Sequence, residues 1–243
     1  MKIIIVPDAE ALARTSAEMF TAQARASLQE RGRFTVALSG GSTPRQLYAR
    51  LATPEISSQI DWGNVHLFWG DERCVPPGHP DSNFRMVRES LHVPIPEQNI
   101  HRIPGELPPE ESAMRYEQEL RAFFGDTPRF DLILLGLGED GHTASLFPAS
   151  PALYEQRRWA VAVTHEVPPP PLVSRVTLTL PVINHAREVI FLVAGREKAG
   201  RVAQVLGEAP VSEELPASAV QPLNGNLTWL LDQSAAALLK ETS

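Results

Sequence analysis

The sequence predicts an α/β fold with an open, mainly parallel sheet and helices on both faces, and three observations predict it. Short runs of β-branched and aliphatic residues recur along the chain. Several lead directly into segments whose apolar residues recur at helical spacing. The runs end in glycine-rich or polar loops, as strands buried on both faces do. Strands alternating with helices build a parallel sheet, and such sheets bind ligands beyond the carboxyl ends of their strands.

The first run, residues 2–6 (KIIIV), precedes Pro7-Asp8, and residues 9–30 then carry Ala, Leu and Met at helical spacing, so strand and then helix are expected. Residues 34–38 (FTVAL) form a second strand. It runs straight into Ser39-Gly40-Gly41-Ser42-Thr43-Pro44 and then the apolar-periodic QLYARLA. Residues 65–69 (VHLFW) and 131–135 (DLILL) repeat the pattern. Residues 187–194 (REVIFLVA) make another passage from strand to helix through GREKAGRVAQVL. A helix is also expected near Phe84, capped by Asp81-Ser82-Asn83, which gives Asp81 a structural role. The chain has 22 prolines, more than the ~5% of average usage, and their clusters at 76–80, 94–96, 104–109 and 168–171 read as loops, the last as a rigid connector. No internal repeat divides the chain, so residues 1–243 are expected to form a single domain.

Composition excludes several classes of function. Cys74 is the only cysteine, so neither an intrachain disulfide nor a cysteine-cluster metal site is possible, and a reducing compartment fits. No apolar run approaches the ~20 residues that span a bilayer, and the start turns acidic too soon for a secretory signal. A cytoplasmic protein without membrane partners is expected. A formal charge of -7 argues against nucleic acid, whose binding rests on a basic surface, so the cations for any anionic ligand must be local.

Four segments carry chemistry. Gly40 and Gly41 permit a tight turn and close approach to a ligand, Thr43 can cap the following helix, and Ser42 and Thr43 lie at its start. Free N–H groups there form a phosphate cradle. It matches neither the nucleotide P-loop nor the dinucleotide fingerprint, so neither cofactor is expected. Asp71, Glu72 and Arg73 follow the strand at 65–69 and precede a long, proline-stiffened polar stretch of the kind shaped around ligands. Alone, three such charges would read as a solvated loop. In residues 131–148 (DLILLGLGEDGHTASLFP), His142 is embedded among glycines beside Glu139 and Asp140. Histidine titrates nearest neutrality and a neighbouring carboxylate can fix its tautomer, so an acid-base centre is expected there. No second histidine stands at i+4, and no metal is expected. Lys198 falls in the first turn of a helix, where a cation opposes the macrodipole, and a binding role explains its place. Arg175 can supply a further positive group, although on sequence alone it reads first as plain surface charge. His66, His79, His92, His101, His165 and His185 lack comparable surroundings and read as structural.

Taken together, LSGGSTP, FWGDERCVPPGHPDSN, LLGLGEDGHTASLFP, RVTLTLP and AGREKA resemble the 6-phosphogluconolactonase family, in the expected order over residues 36–200. The resemblance implies a Rossmann-like fold shared with glucosamine-6-phosphate deaminase. It also implies hydrolysis of 6-phospho-D-glucono-1,5-lactone to 6-phosphogluconate in the oxidative pentose phosphate pathway. The motifs themselves call for no cofactor, and a monomer is expected. By the same likeness His142 matches the general base, Asp140 its neighbour and Arg73 a residue of the active-site loop. The SGGST segment and Lys198 match phosphate-binding positions. Asp71, Glu72 and Arg175 join the expected binding set. Whether Arg73 meets the oxyanion or the phosphate stays open. The deaminase pattern is the enzymatic rival, but it places a glutamate five residues beyond the histidine, where this chain has Phe147, and a phenyl ring cannot shuttle protons. A non-catalytic sugar-phosphate sensor is the alternative from another class, since helix-end phosphate sites also serve regulators.

Overall fold

In the computed structural model, which describes residues 1–165, 171–207 and 214–239, nine strands and seven α-helices are assigned. The chain runs β1 (Lys2–Val6), α1 (Ala9–Arg31), β2 (Phe34–Leu38), α2 (Ser42–Leu51), α3 (Pro54–Ser57), β3 (Val65–Trp69), β4 (Asp71–Arg73) and α4 (Asn83–Ser90). It continues α5 (Pro109–Phe124), β5 (Leu132–Leu135), β6 (Ala160–Val163), β7 (Arg175–Leu178), α6 (Leu180–Asn184), β8 (Glu188–Val193), α7 (Ala199–Val205) and β9 (Asn226–Asp232). The connector expected at 168–171 lies, apart from Pro171, outside the described residues.

Six strands form one sheet in the order β1-β9-β8-β5-β2-β3, with every neighbouring pair parallel. The β2–β3 register sets Phe34 opposite Val65 and Ala37 opposite Phe68, so Phe34 and Phe68 lie on opposite faces. On the first face Phe20 of α1 meets Phe34 edge-on at 5.3 Å. On the second, Phe123 and Phe124 of α5 meet Phe68 at 5.2 and 5.5 Å. Helices therefore cover both faces. The apolar interiors of β2, β5 and β8 are almost wholly excluded from water, and this burial drives the layering.

A second, antiparallel sheet of β4, β7 and β6 packs against α5. This corrects the sequence reading of 71–73: the charged triplet is a strand and not a loop, because its backbone pairs with 175–177. In the large sheet the chain steps from β2 to β3 in one direction and from β5 to β8 and β9 in the other. That reversal opens a crevice at the carboxyl ends of β2 and β5, where ligands bind in such folds.

Candidate active site

Loops after β2, β3, β5 and β8, joined by β7, line one cleft of about 250 Å³. After β2, Gly41 adopts φ +104° and starts α2 with no side-chain cap. The capping role expected of Thr43 is thus corrected: the helix begins at Ser42, so Thr43 sits inside the first turn and lines the cleft with Gly40, Gly41 and Ser42. First-turn N–H groups have no intrahelical acceptor. A side chain at position 40 would set its Cβ 2.0 Å from Asn83 Oδ1, so any residue larger than glycine would displace the Asn83 side chain. Below the loop, the Tyr48 hydroxyl donates to the Ser39 carbonyl at 2.9 Å and accepts from its N–H at 3.1 Å.

Along β4, successive side chains alternate. Asp71 and Arg73 line the cleft, whereas Glu72 does not. The Glu72 carboxylate instead accepts from the N–H groups of Arg73, Asn83 and Phe84 at 2.8, 2.7 and 2.7 Å and from Ser82 Oγ at 3.0 Å. The ligand contact expected of Glu72 is therefore replaced by a helix-start anchor, with its acceptor sites engaged inside the protein. Burial raises its pKa, against those N–H bonds and with the charge of Asp71. Ser82 is the N-cap of α4, accepting from the Arg85 N–H, and the Asp81 carbonyl accepts from Arg73 Nη1 at 2.7 Å.

Arg73 stands opposite Arg175 in the β4–β7 register, and both line the cleft. Like charges directly opposed in a sheet are unfavourable. Neither guanidinium has a carboxylate within ion-pair distance among the described residues, and each has a buried Nε without an acceptor. Arg175 Nη2 donates to the Pro171 carbonyl at 3.2 Å. Burial, offset by the charge of Asp71 and reinforced by that of Arg73, lowers the Arg175 pKa. Far from surface charge, Arg175 is 4% exposed.

After β5 the chain turns through Gly138 and Gly141, the latter at φ +89°. A Cβ at position 138 would lie 2.1 Å from His142 Nδ1, so glycine lets the imidazole fold over the backbone. His142 Nδ1 and Asp140 Oδ1 are 2.5 Å apart, and the same oxygen accepts from the His142 N–H at 3.1 Å. Burial alone would raise the Asp140 pKa, but the hydrogen bonds and charge of His142 bring it below the ordinary range. An ionised Asp140 accepts from Nδ1–H and leaves the lone pair on Nε2. Phe147 lies 4.6 Å from His142, stacks on His165 at 4.1 Å, and carries the Arg175 guanidinium 5.4 Å above its ring.

Beyond β8, Gly195 at φ +102° opens a short 3₁₀ turn that ends at Lys198, just ahead of α7. Lys198 lines the cleft, with Nζ 3.9 Å from Glu139 Oε1. The structure thus gathers Gly40, Gly41, Ser42, Thr43, Asp71, Arg73, His142, Arg175 and Lys198 around one cleft, with Asp140 behind the imidazole. Sequence reasoning passed over Asn83, Thr143 and Ala144, which also line it, and Asn83 read only as a cap. Among the described residues no group of three or more His, Cys, Asp and Glu side chains is arranged to hold a metal.

The family model described as glucosamine-6-phosphate isomerases/6-phosphogluconolactonase matches residues 7–229. A Synechocystis 6-phosphogluconolactonase is 46% identical over 221 residues, covering 88% of each chain. The solved 6-phosphogluconolactonase from Trypanosoma cruzi superposes with a TM-score of 0.89 at 31% identity, over 98% of this chain and 97% of its own. A monomeric glucosamine-6-phosphate deaminase superposes at 0.82 with 23% identity, over 98% and 100%, a likeness of fold.

Proposed function

The chain belongs to the family of glucosamine-6-phosphate isomerases and 6-phosphogluconolactonases, and within that family we infer the lactonase activity. It hydrolyses 6-phospho-D-glucono-1,5-lactone to 6-phospho-D-gluconate in the oxidative pentose phosphate pathway. One observation carries the mechanism: a histidine backed by a carboxylate shares a cleft with two arginines that have no carboxylate within ion-pair distance among the described residues.

A lactone carbonyl is already electrophilic, so the protein needs only to deliver water, stabilise the oxyanion and hold the substrate. Neutral His142 takes a proton on Nε2 from the water whose oxygen attacks C1. Asp140 holds the imidazole in the required tautomer and stabilises the imidazolium. The tetrahedral intermediate collapses as the bond from C1 to the ring oxygen breaks, and the imidazolium returns the proton to that oxygen. Arg73 and Arg175 supply the positive charge that an anionic substrate and an anionic intermediate require. The N–H groups of residues 40–43 and the Lys198 ammonium hold the phosphate, as helix starts and cations do. Phe147 occupies the place where a deaminase needs a proton-carrying glutamate, which separates the two chemistries.

We propose that the chain acts as a monomer. No described helix is long and apolar enough to cross a membrane. The lone Cys74 fits a cytoplasmic setting. Purified protein added to freshly generated lactone should accelerate its loss well above the spontaneous rate, and should still do so after exhaustive chelation. Loss at the background rate would overturn the lactonase reading.

A further inference from the structure

Ser145 lies three residues beyond His142, is fully buried, and does not line the cleft. Its hydroxyl donates to Asp71 Oδ2 at 2.5 Å and its N–H donates to Thr177 Oγ1 at 3.2 Å. Asp71 and Thr177 are opposite each other in the β4–β7 register, two residues along from the Arg73–Arg175 pair. With a side-chain period of two, both pairs lie on the same face of the small sheet. Ser145 therefore ties the loop bearing the histidine to the ladder bearing the two arginines. From its other side Asp71 receives Asn83 Nδ2, 3.0 Å from its carbonyl and 3.3 Å from Oδ1. Asn83 in turn packs on Gly40 of the phosphate loop.

Between the histidine and this tie stands Ala144 at φ +48°, a conformation that L-residues adopt at a cost. Its neighbours hold it there. Thr143 Oγ1 donates to the Gly136 carbonyl at 2.9 Å on one side, and Ser145 is anchored to Asp71 and Thr177 on the other. Strain of this kind persists only where the surroundings over-determine it.

We propose that Ser145 is a positioning residue for hydrolysis: by pinning the strained turn at Ala144 to the arginine ladder, it fixes where His142 stands relative to Arg73 and Arg175. The proposal rests on the lactonase reading above, in which those three side chains act on one substrate. It also gives the Asp71 carboxylate an internal task, holding three site-bearing elements in register.

Ser145→Ala removes the hydroxyl and leaves the cleft-lining groups in place. Misplacing a catalytic group by about 1 Å costs on the order of 100-fold, so kcat should fall about 10-fold to 100-fold. KM and the Kd for 6-phosphogluconate by calorimetry should stay within about threefold of wild type, because the phosphate is held by other loops. Adding Ala144→Gly should restore part of the lost kcat, since glycine takes the positive-φ conformation without strain and needs no anchor. Should Ser145→Ala fold poorly, Thr177→Val, which removes the acceptor of the Ser145 N–H together with the hydroxyl's own donation to the Leu178 carbonyl, should lower kcat in the same selective way. A kcat within twofold of wild type would overturn the proposal. So would a kcat loss matched by a weakened Kd and left unchanged by Ala144→Gly. Wild-type turnover, measured in parallel, tests the lactonase reading separately.

Discussion

Each end of the large sheet holds an aspartate among arginines, and the two are wired in opposite ways. At the amino end, Asp131 accepts from Arg31 Nε at 2.9 Å, from the Thr35 N–H at 2.8 Å and from its hydroxyl at 2.9 Å, with Arg187 Nε at 3.4 Å. There the carboxylate neutralises its arginines. At the carboxyl end, Asp71 directs its side-chain oxygens to Ser145 and Asn83, and among the described residues Arg73 and Arg175 have no carboxylate within ion-pair distance. Leaving buried cations unpaired is costly unless a ligand supplies the missing charge. Charge compensated within the chain belongs to stability, and charge left open belongs to binding and chemistry.

The largest expected effect is at the carboxyl end. Replacing His142 with Gln keeps much of the side chain's size and hydrogen bonding but removes the proton acceptor. General-base catalysis is worth about 10² to 10⁴ in rate, so kcat should drop by that order while phosphate affinity is retained. Steady-state kinetics corrected for spontaneous lactone opening is the measurement. Near-normal turnover by a folded variant would place the base elsewhere, with Asp71 the next residue to examine.

A matched pair of substitutions tests the contrast directly. Arg175→Met removes a buried cation that has no ion-pair contact among the described residues: kcat/KM should fall about 10-fold to 150-fold, the worth of a charge-assisted contact of roughly 1.5 to 3 kcal/mol. Its melting temperature should stay level or rise, since a buried charge without a partner is gone. Arg31→Met does the reverse, leaving Asp131 with fewer donors at a cost of about 1–2 kcal/mol, or about 2–8 °C in Tm, with activity intact. If Arg31→Met lowered activity and Arg175→Met only stability, the division between the two ends would fail.

How much was legible in the sequence divides along physical lines. The strands at 34–38, 65–69 and 131–135 were readable because buried parallel strands are continuous apolar runs ending in glycine or polar loops. Residues 71–73 were not, since a strand of three charges gives no apolar signal and exists only through pairing with 175–177. Short β6 (AVAV), β9 (NLTWLLD) and α5, which starts at a proline cluster that reads as a loop, are not legible from local pattern. In the site, glycine-bracketed residues such as His142 and Lys198 stood out by local context. Glu72 looked like a ligand residue because sequence does not show that its carboxylate meets three backbone N–H groups, two of them more than ten residues away. Ser145 was silent for the same reason: its partner Asp71 is 74 positions distant.

The smallest expected effect again concerns the amino end, where titration should act on stability rather than on chemistry. His66, near the start of β3, lies with its Nδ1 3.1 Å from His101 Nε2, and His101 Nδ1 lies 2.6 Å from Glu119 Oε1. Phe123 packs on the His66 ring at 4.8 Å and carries the Arg33 guanidinium, also at 4.8 Å. Burial first, then the charges of His101 and Arg33, lowers the His66 pKa from 6.5 to about 4. A depressed histidine pKa means that the unfolded chain binds the proton more readily. Stability is therefore full above pH 6.5 and is lost progressively as pH falls toward about 4. Because the ring is only partly buried, solvent screening reduces the loss to about 1 kcal/mol, or about 2–4 °C in Tm. Against wild type, His66→Gln should show a shallower decline of Tm across that acid window and unchanged kcat at neutral pH. Thermal melts at successive pH values make the comparison. Parallel curves for the two proteins would assign the acid sensitivity to other groups, and a fall in kcat would show that the amino end reaches the chemistry after all.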